Sequence, residues 1–82
     1  MELTAEISLY PLDKEFKPII KEFIGKIQNY DEVDVEYNGV STQFTGDYDK
    51  VFEVLHSEVK PLFEKHKAVF VMKLLMKKKI KK

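Results

Sequence analysis

The sequence predicts an α+β sandwich, with a four-stranded antiparallel sheet in the order 4-1-3-2 and two helices on one face. Three observations carry this prediction. Residues 2–10 and 32–38 alternate apolar and polar side chains with period two, the pattern of strands covered on one side. Residues 16–29 and 51–63 repeat apolar side chains at spacings of three and four, the stripe of an amphipathic helix. Asn38-Gly39 joins two alternating runs and is a strong two-residue hairpin signal, because both residues tolerate positive φ.

In chain order, Leu3, Ala5, Ile7 and Leu9 fall on one face of the first strand. Glu2, Thr4, Glu6, Ser8 and Tyr10 fall on the other, and Pro11 ends the strand. Leu12–Lys17 is read as a turn into the first helix. The helix buries Phe16, Ile19, Ile20, Phe23, Ile24 and Ile27, with Pro18 in its first turn, where a missing N–H does no harm. In the second strand Val33, Val35 and Tyr37 alternate with Glu32, Asp34, Glu36 and Asn38. Residues 40–45 return as the third strand, closed by Gly46. Asp47 is placed to cap the second helix, with Asp49 adding negative charge to the first turn. Val51, Phe52, Leu55, Val59, Leu62 and Phe63 mark that helix, and Pro61 is expected to kink or interrupt its last turn. Residues 68–76, AVFVMKLLM, form the last strand, on length and β-branched content.

The resulting order, β-α-β-β-α-β, is the ferredoxin-like split βαβ arrangement. It is expected to place strands 1 and 3 side by side at the centre, in parallel.

The chain is 82 residues long, enough for one small domain (residues 1–76) followed by a Lys-rich tail (residues 77–82). It has no Cys and no Trp, and all 14 basic residues are Lys. The absence of Cys excludes a disulfide framework, a CxxC redox pair and a thiolate metal site. The zero net charge hides a split: residues 1–66 carry 7 Lys against 14 acids, a net −7, and residues 67–82 carry 7 Lys and no acid. No apolar stretch approaches the roughly 20 residues of a membrane helix. The acidic, alternating N-terminus resembles neither a signal nor a transit peptide, so a cytoplasmic location is expected.

With both helices on one face, the other face of the sheet is where function is sought. The first strand sends Thr4, Glu6, Ser8 and Tyr10 there. The third sends either Ser41, Gln43 and Thr45 or Val40, Thr42 and Phe44, and burying Phe44 under the helices selects the first set. The fourth sends either Val69, Val71, Lys73 and Leu75 or the alternating set beginning at Ala68. Either choice leaves large apolar residues uncovered, so a homo-oligomer, dimer or tetramer, is expected, with sheet-to-sheet contact as its mode. A face that mixes apolar patches with a few fixed polar groups has the makeup of a small-molecule site. Glu6, at mid-strand, is either solvated or paired with Lys73, or it is a carboxylate for an amino-heterocycle or a cationic ligand.

No catalytic constellation stands out. His56 and His66 are ten residues apart and match no compact metal spacing. Neither GxGxxG nor GxxxxGK is present. Acyl-phosphate hydrolases of this fold depend on Arg and its metal chaperones on CxxC, and the chain has neither. The expectation is a protein without enzymatic activity, metal or cofactor. The tail MKKKIKK invites a nucleic-acid reading. An acidic body without Arg is a poor polyanion binder, however, and only Tyr10 offers an aromatic on the open face. The tail is read instead as a solvated guard of a strand end, or as a partner for the acidic body of a neighbouring subunit.

Three segments together resemble the YkoF and thiamine-binding (YkoF-like) proteins: Ile7-Ser8-Leu9-Tyr10-Pro11-Leu12, Gly39-Val40-Ser41-Thr42-Gln43, and Gly46-Asp47-Tyr48-Asp49-Lys50-Val51-Phe52. The resemblance extends in spacing from about residue 4 to about residue 75. It implies a ferredoxin-like fold and non-catalytic binding of thiamine or its hydroxymethylpyrimidine moiety, in vitamin uptake or salvage. It also implies pairing of such domains, which a single-domain chain achieves by oligomerising. Ser8, Tyr10, Ser41 and Thr42 match the family's pattern, and the resemblance assigns them to the pyrimidine. Asn38, Gln43 and Glu6 complete the set of donors and acceptors such a ring needs, and Tyr10 or Phe44 offers it a flat apolar contact. The alternatives are a structural or adaptor oligomer without ligand, or a weak nucleic-acid binder acting through the tail.

Overall fold

The computed structural model describes residues 1–37 and 41–77. The elements are β1 (Glu2–Pro11), α1 (Phe16–Gln28), β2 (Val33–Tyr37), β3 (Thr42–Asp47), α2 (Tyr48–Lys65) and β4 (Ala68–Lys77). They form one four-stranded sheet in the order β2-β3-β1-β4, with α1 and α2 packed on one face. This is the ferredoxin-like α+β fold.

The pairing of β1 and β3 is antiparallel, not parallel as the sequence reading expected. The reason lies in the connections. The α1 crossover returns the chain into β2 in the direction of β1, and the chain reverses between β2 and β3. β3 therefore opposes β1. The α2 crossover then gives β4 the direction of β3, so every neighbouring pair is antiparallel. The Asn38-Gly39 turn lies outside the described residues.

Phe44 fixes the register of β3. It is fully buried, opposite Ala5 on β1 and Val35 on β2. Its neighbours two residues away, Thr42 and Gly46, share the helix-covered face. Leu3, Ala5 and Ile7 continue that face on β1, and Ile19, Phe23 and Ile27 from α1 close over it. Val51, Val54, Leu55 and Leu62 do the same from α2. The helix stripes are narrower than the sequence suggested. Phe16, Phe52 and Phe63 are exposed, and Val54 is buried in their stead.

Gly46 lies inside β3 rather than closing it. Opposite both Leu3 and Val33, it is crossed closely by β2. A Cβ there would stand 2.8 Å from the Glu32 carbonyl oxygen and 3.0 Å from Val33 Cγ1. Only glycine fits without displacing backbone. Asp47 is the N-cap of α2, but its carboxylate makes no capping hydrogen bond and lies 3.9 Å from the N-terminal ammonium. The Tyr48 N–H donates to the Met1 carbonyl at 2.9 Å, which joins the start of α2 to the start of β1.

α2 runs through Pro61 without interruption, contrary to expectation. Pro61 leaves the Ser57 carbonyl without its helical donor, and Ser57 is on the exposed side, where water can serve. Leu62 is buried in the core and holds the next turn in place. Phe70 anchors the edge strand, with edge-to-face contacts to Phe23 of α1 and Phe63 of α2.

Candidate ligand-binding face

The face of the sheet away from the helices is built in rows by the register. One row runs Glu36 on β2, Gln43 on β3, Glu6 on β1 and Lys73 on β4. The Gln43 side-chain amide donates to one Glu6 carboxylate oxygen at 3.2 Å. Lys73 Nζ stands 3.9 Å from the other. Glu6 is thus held by both neighbouring strands. Lys73 is 79% exposed, so the ion pair is screened and weak.

The next row runs Asp34, Thr45, Thr4 and Leu75. Thr4 and Thr45 share a hydrogen bond of 2.8 Å between their hydroxyls. On the other side of Glu6, Ser8 stands opposite Val71 and Tyr10 opposite Val69. Ser41 immediately precedes β3 and is half-buried. The face therefore grades across its width. Its β2 flank is acidic (Asp34, Glu36), its centre polar (Gln43, Glu6, the two threonines, Ser8) and its β4 flank apolar (Val69, Val71, Leu75) apart from Lys73.

Of the residues singled out from the sequence, Glu6, Ser8, Tyr10 and Gln43 lie on this face, and Ser41 stands just before β3. Thr42 does not lie on this face. It is buried on the helix side, opposite Ile7 and Tyr37, because the buried Phe44 fixes its parity. Asn38 lies outside the described residues. Asp34 and Glu36 were not singled out, although hairpin alternation places them beside Thr45 and Gln43.

A second concavity lies on the helix side, between α2 and β4. It holds about 390 Å³ and is lined by Phe52, Leu55, His56, Val59, Phe63, Phe70 and Met72. Among the described residues that line it, His56 is the one titratable side chain. On β4 its lining is Phe70 and Met72, and the inner row from Met72 through Leu74 to Met76 remains exposed.

Away from both surfaces, Lys50 on α2 bridges Glu32 at 3.3 Å and Glu53 at 3.4 Å, with its ammonium 5.7 Å from the centre of the Tyr30 ring. The Tyr30 hydroxyl donates to Glu58 at 2.6 Å. That hydrogen bond to a carboxylate raises the Tyr30 pKa. A backbone hydrogen bond and the Lys50 ammonium lower that of Glu32, and Glu32 raises that of Lys50. These contacts tie the α1–β2 connection to α2. Among the described residues no group of three acidic, His or Cys side chains could hold a metal ion, and no helix is long and apolar enough to cross a membrane.

Several solved structures share the fold. A protein of Thermotoga maritima, described as a candidate thiamine biosynthesis/salvage protein, superposes with a TM-score of 0.81 at 16% identity, covering 94% of this chain and 85% of its own. A Streptococcus pneumoniae protein gives 0.84 at 15% identity, covering 96% and 90%. A hypothetical protein of Methanocaldococcus gives 0.80 at 23% identity, covering 98% and 84%. At these identities the likeness speaks for the fold. Among curated proteins none matches the chain. The model of the YkoF-related family matches residues 2–77, from the first residue of β1 to the last of β4. The chain belongs to the YkoF-related family.

Proposed function

We propose that the protein binds thiamine or its hydroxymethylpyrimidine moiety on the open face of the sheet, without catalysis, as a cytoplasmic carrier in vitamin uptake or salvage. Family membership supports the class of ligand, and so does the description of the T. maritima neighbour as a candidate thiamine biosynthesis/salvage protein. The observation that carries the reading is the Gln43–Glu6 pair beside an apolar flank.

An aminopyrimidine presents an exocyclic amine and ring nitrogens in one plane. Glu6 accepts from the amine. The Gln43 amide and the Ser8 hydroxyl donate to ring nitrogens. Val69, Val71 and Tyr10 offer the ring apolar contact. A ligand carrying a thiazolium cation also meets Asp34, Glu36 and Glu6, against Lys73 alone among their row neighbours. Binding displaces Lys73, whose exposed and distant pairing costs little to break.

An open sheet encloses no ligand by itself, and small-molecule sites bury about 70–90% of what they hold. A second copy of the chain supplies the other wall, so the site is completed by a homo-oligomer. Calorimetry and thermal shift with thiamine and with hydroxymethylpyrimidine test the proposal. Heat and stabilisation with at least one ligand are expected, and neither signal with either ligand would sink it.

A further inference from the structure

We infer that the C-terminal part of β4, together with the lysines that follow it, is a docking surface for an anionic lipid bilayer, on which the protein sits peripherally. The inference does not rest on the ligand reading, because it uses the helix side of β4 and not the open face.

Charge is the first observation. All the acids of the chain lie within residues 1–66, whereas residues 67–82 carry 7 Lys and no acid. Lys78, Lys79, Lys81 and Lys82 lie outside the described residues and follow directly on β4 in the sequence. A dense block of one sign at one end, attached to a body of the other sign, marks a contact with a polyanion.

Apolar side chains decide which polyanion. The helix-side row of β4 ends in Met72, Leu74 and Met76, all exposed. The start of α2 lies at the same end of the sheet: Asp47, which precedes it, stands opposite Glu2, and Glu2 stands opposite Lys77. There Tyr48 and Phe52 are exposed as well, their rings edge to face at 5.0 Å. Apolar and aromatic side chains beside a run of lysines compose a surface that enters the headgroup layer. Leucine, methionine and phenylalanine reach the acyl boundary, tyrosine sits at headgroup depth, and lysine stems carry their ammonium groups to the phosphates. A nucleic-acid duplex would engage the lysines alone and leave Met72, Leu74 and Met76 in water. The all-Lys composition points the same way, since an ammonium is a point charge suited to a mobile lipid surface and lacks the planar fork that grips a base or a fixed phosphate.

The acids at this end do not cancel the attraction. Asp47 lies 3.9 Å from the N-terminal ammonium, and Glu53 lies 3.4 Å from Lys50. Glu2 and Asp49 stand against the lysines at 77, 78, 79, 81 and 82.

Co-sedimentation of the full chain with vesicles tests the inference, using phosphatidylcholine alone and phosphatidylcholine mixed with phosphatidylglycerol. The parent is expected to bind the mixed vesicles, to ignore the neutral ones and to be released as salt rises from about 0.1 M to about 1 M. Deleting residues 78–82 removes four lysines beyond the last strand and should weaken binding at least about tenfold. Leu74→Ser combined with Met76→Ser keeps every charge and should weaken it about fivefold or more. Circular dichroism checks that this variant folds, and if it does not, the deletion decides alone. A parent that leaves the mixed vesicles unbound, or that prefers a DNA duplex to them, would overturn the inference. So would a deletion without effect. Loss on deletion with none in the folded Leu74→Ser, Met76→Ser chain would overturn it too, since that pattern belongs to lysines drawn to any polyanion.

Discussion

Gln43 and Glu6 face each other across β3 and β1, and the Gln43 amide reaches the carboxylate at 3.2 Å. The pair lies on the uncovered face, where water competes for both groups. It contributes little to the fold and leaves the carboxylate oriented.

Glu6→Ala and Gln43→Ala should therefore each change unfolding free energy by no more than about 0.5 kcal/mol, the range of surface substitutions. Urea unfolding checks this. A loss above about 2 kcal/mol would show the pair to be structural.

Gly46→Ala should be costly. Its Cβ would meet the Glu32 carbonyl at 2.8 Å, a backbone atom that cannot move without breaking the β2–β3 ladder. We expect a loss of about 1–3 kcal/mol, the usual penalty of overpacking, read as a lower denaturant midpoint. An unchanged midpoint would mean that β2 sits farther from β3 than described.

Phe44→Ala should cost about 3–5 kcal/mol, because Phe44 is fully buried between Ala5 and Val35 and beneath the helices. Thr42→Val, on the same face, keeps the branched shape and gives up only what the hydroxyl contributes, so it should cost no more than about 1.5 kcal/mol, the net worth of one neutral hydrogen bond. Denaturation of the two variants side by side checks the parity of β3. The reverse ranking would place the strand one residue out of register.

Two groups at the Lys50 cluster give stability opposite pH limits. Glu32 has its pKa lowered from 4.5 by a backbone hydrogen bond and by Lys50, so its folded state binds a proton less readily than the unfolded chain. Its contribution is present above pH 4.5 and is lost as pH falls through the lowered value. Tyr30 has its pKa raised from 10.0 by its hydrogen bond to Glu58. Its contribution is present below pH 10.0 and is lost as pH rises through the raised value. Melting temperatures of Glu32→Gln and Tyr30→Phe should thus converge with the parent's, the first only in acid and the second only in strong alkali. A constant difference across pH would contradict the assignment.

The fold is legible in the sequence because each element carries one period. β1 shows this most clearly: Leu3, Ala5 and Ile7 are all buried, and Thr4, Glu6 and Ser8 all face outward. The antiparallel direction of β3 relative to β1, which the sequence reading missed, follows from the connections alone. Gly46 looks like punctuation because a glycine in a strand cannot be told from a stop until the strand that crosses it is known. Phe52 and Phe63 fit the helical spacing of α2 but line the open concavity beside β4 and stay exposed, a fact set by the placement of the helix and not by its period. The open face is reached by elimination once Phe44 is assigned to the core. The Glu36–Gln43–Glu6–Lys73 row is not, because it needs the registers of three strand pairs at once.

Whether the open face binds a pyrimidine through Glu6 is read from the affinity for thiamine and hydroxymethylpyrimidine, by calorimetry, of the parent chain, Glu6→Ala and Thr42→Val. Losing a charged hydrogen-bond partner should weaken binding by about tenfold or more, while the helix-side Thr42→Val should bind as the parent does. A Glu6→Ala chain that binds as tightly as the parent, or a Thr42→Val chain that alone loses binding, would place the ligand away from Glu6.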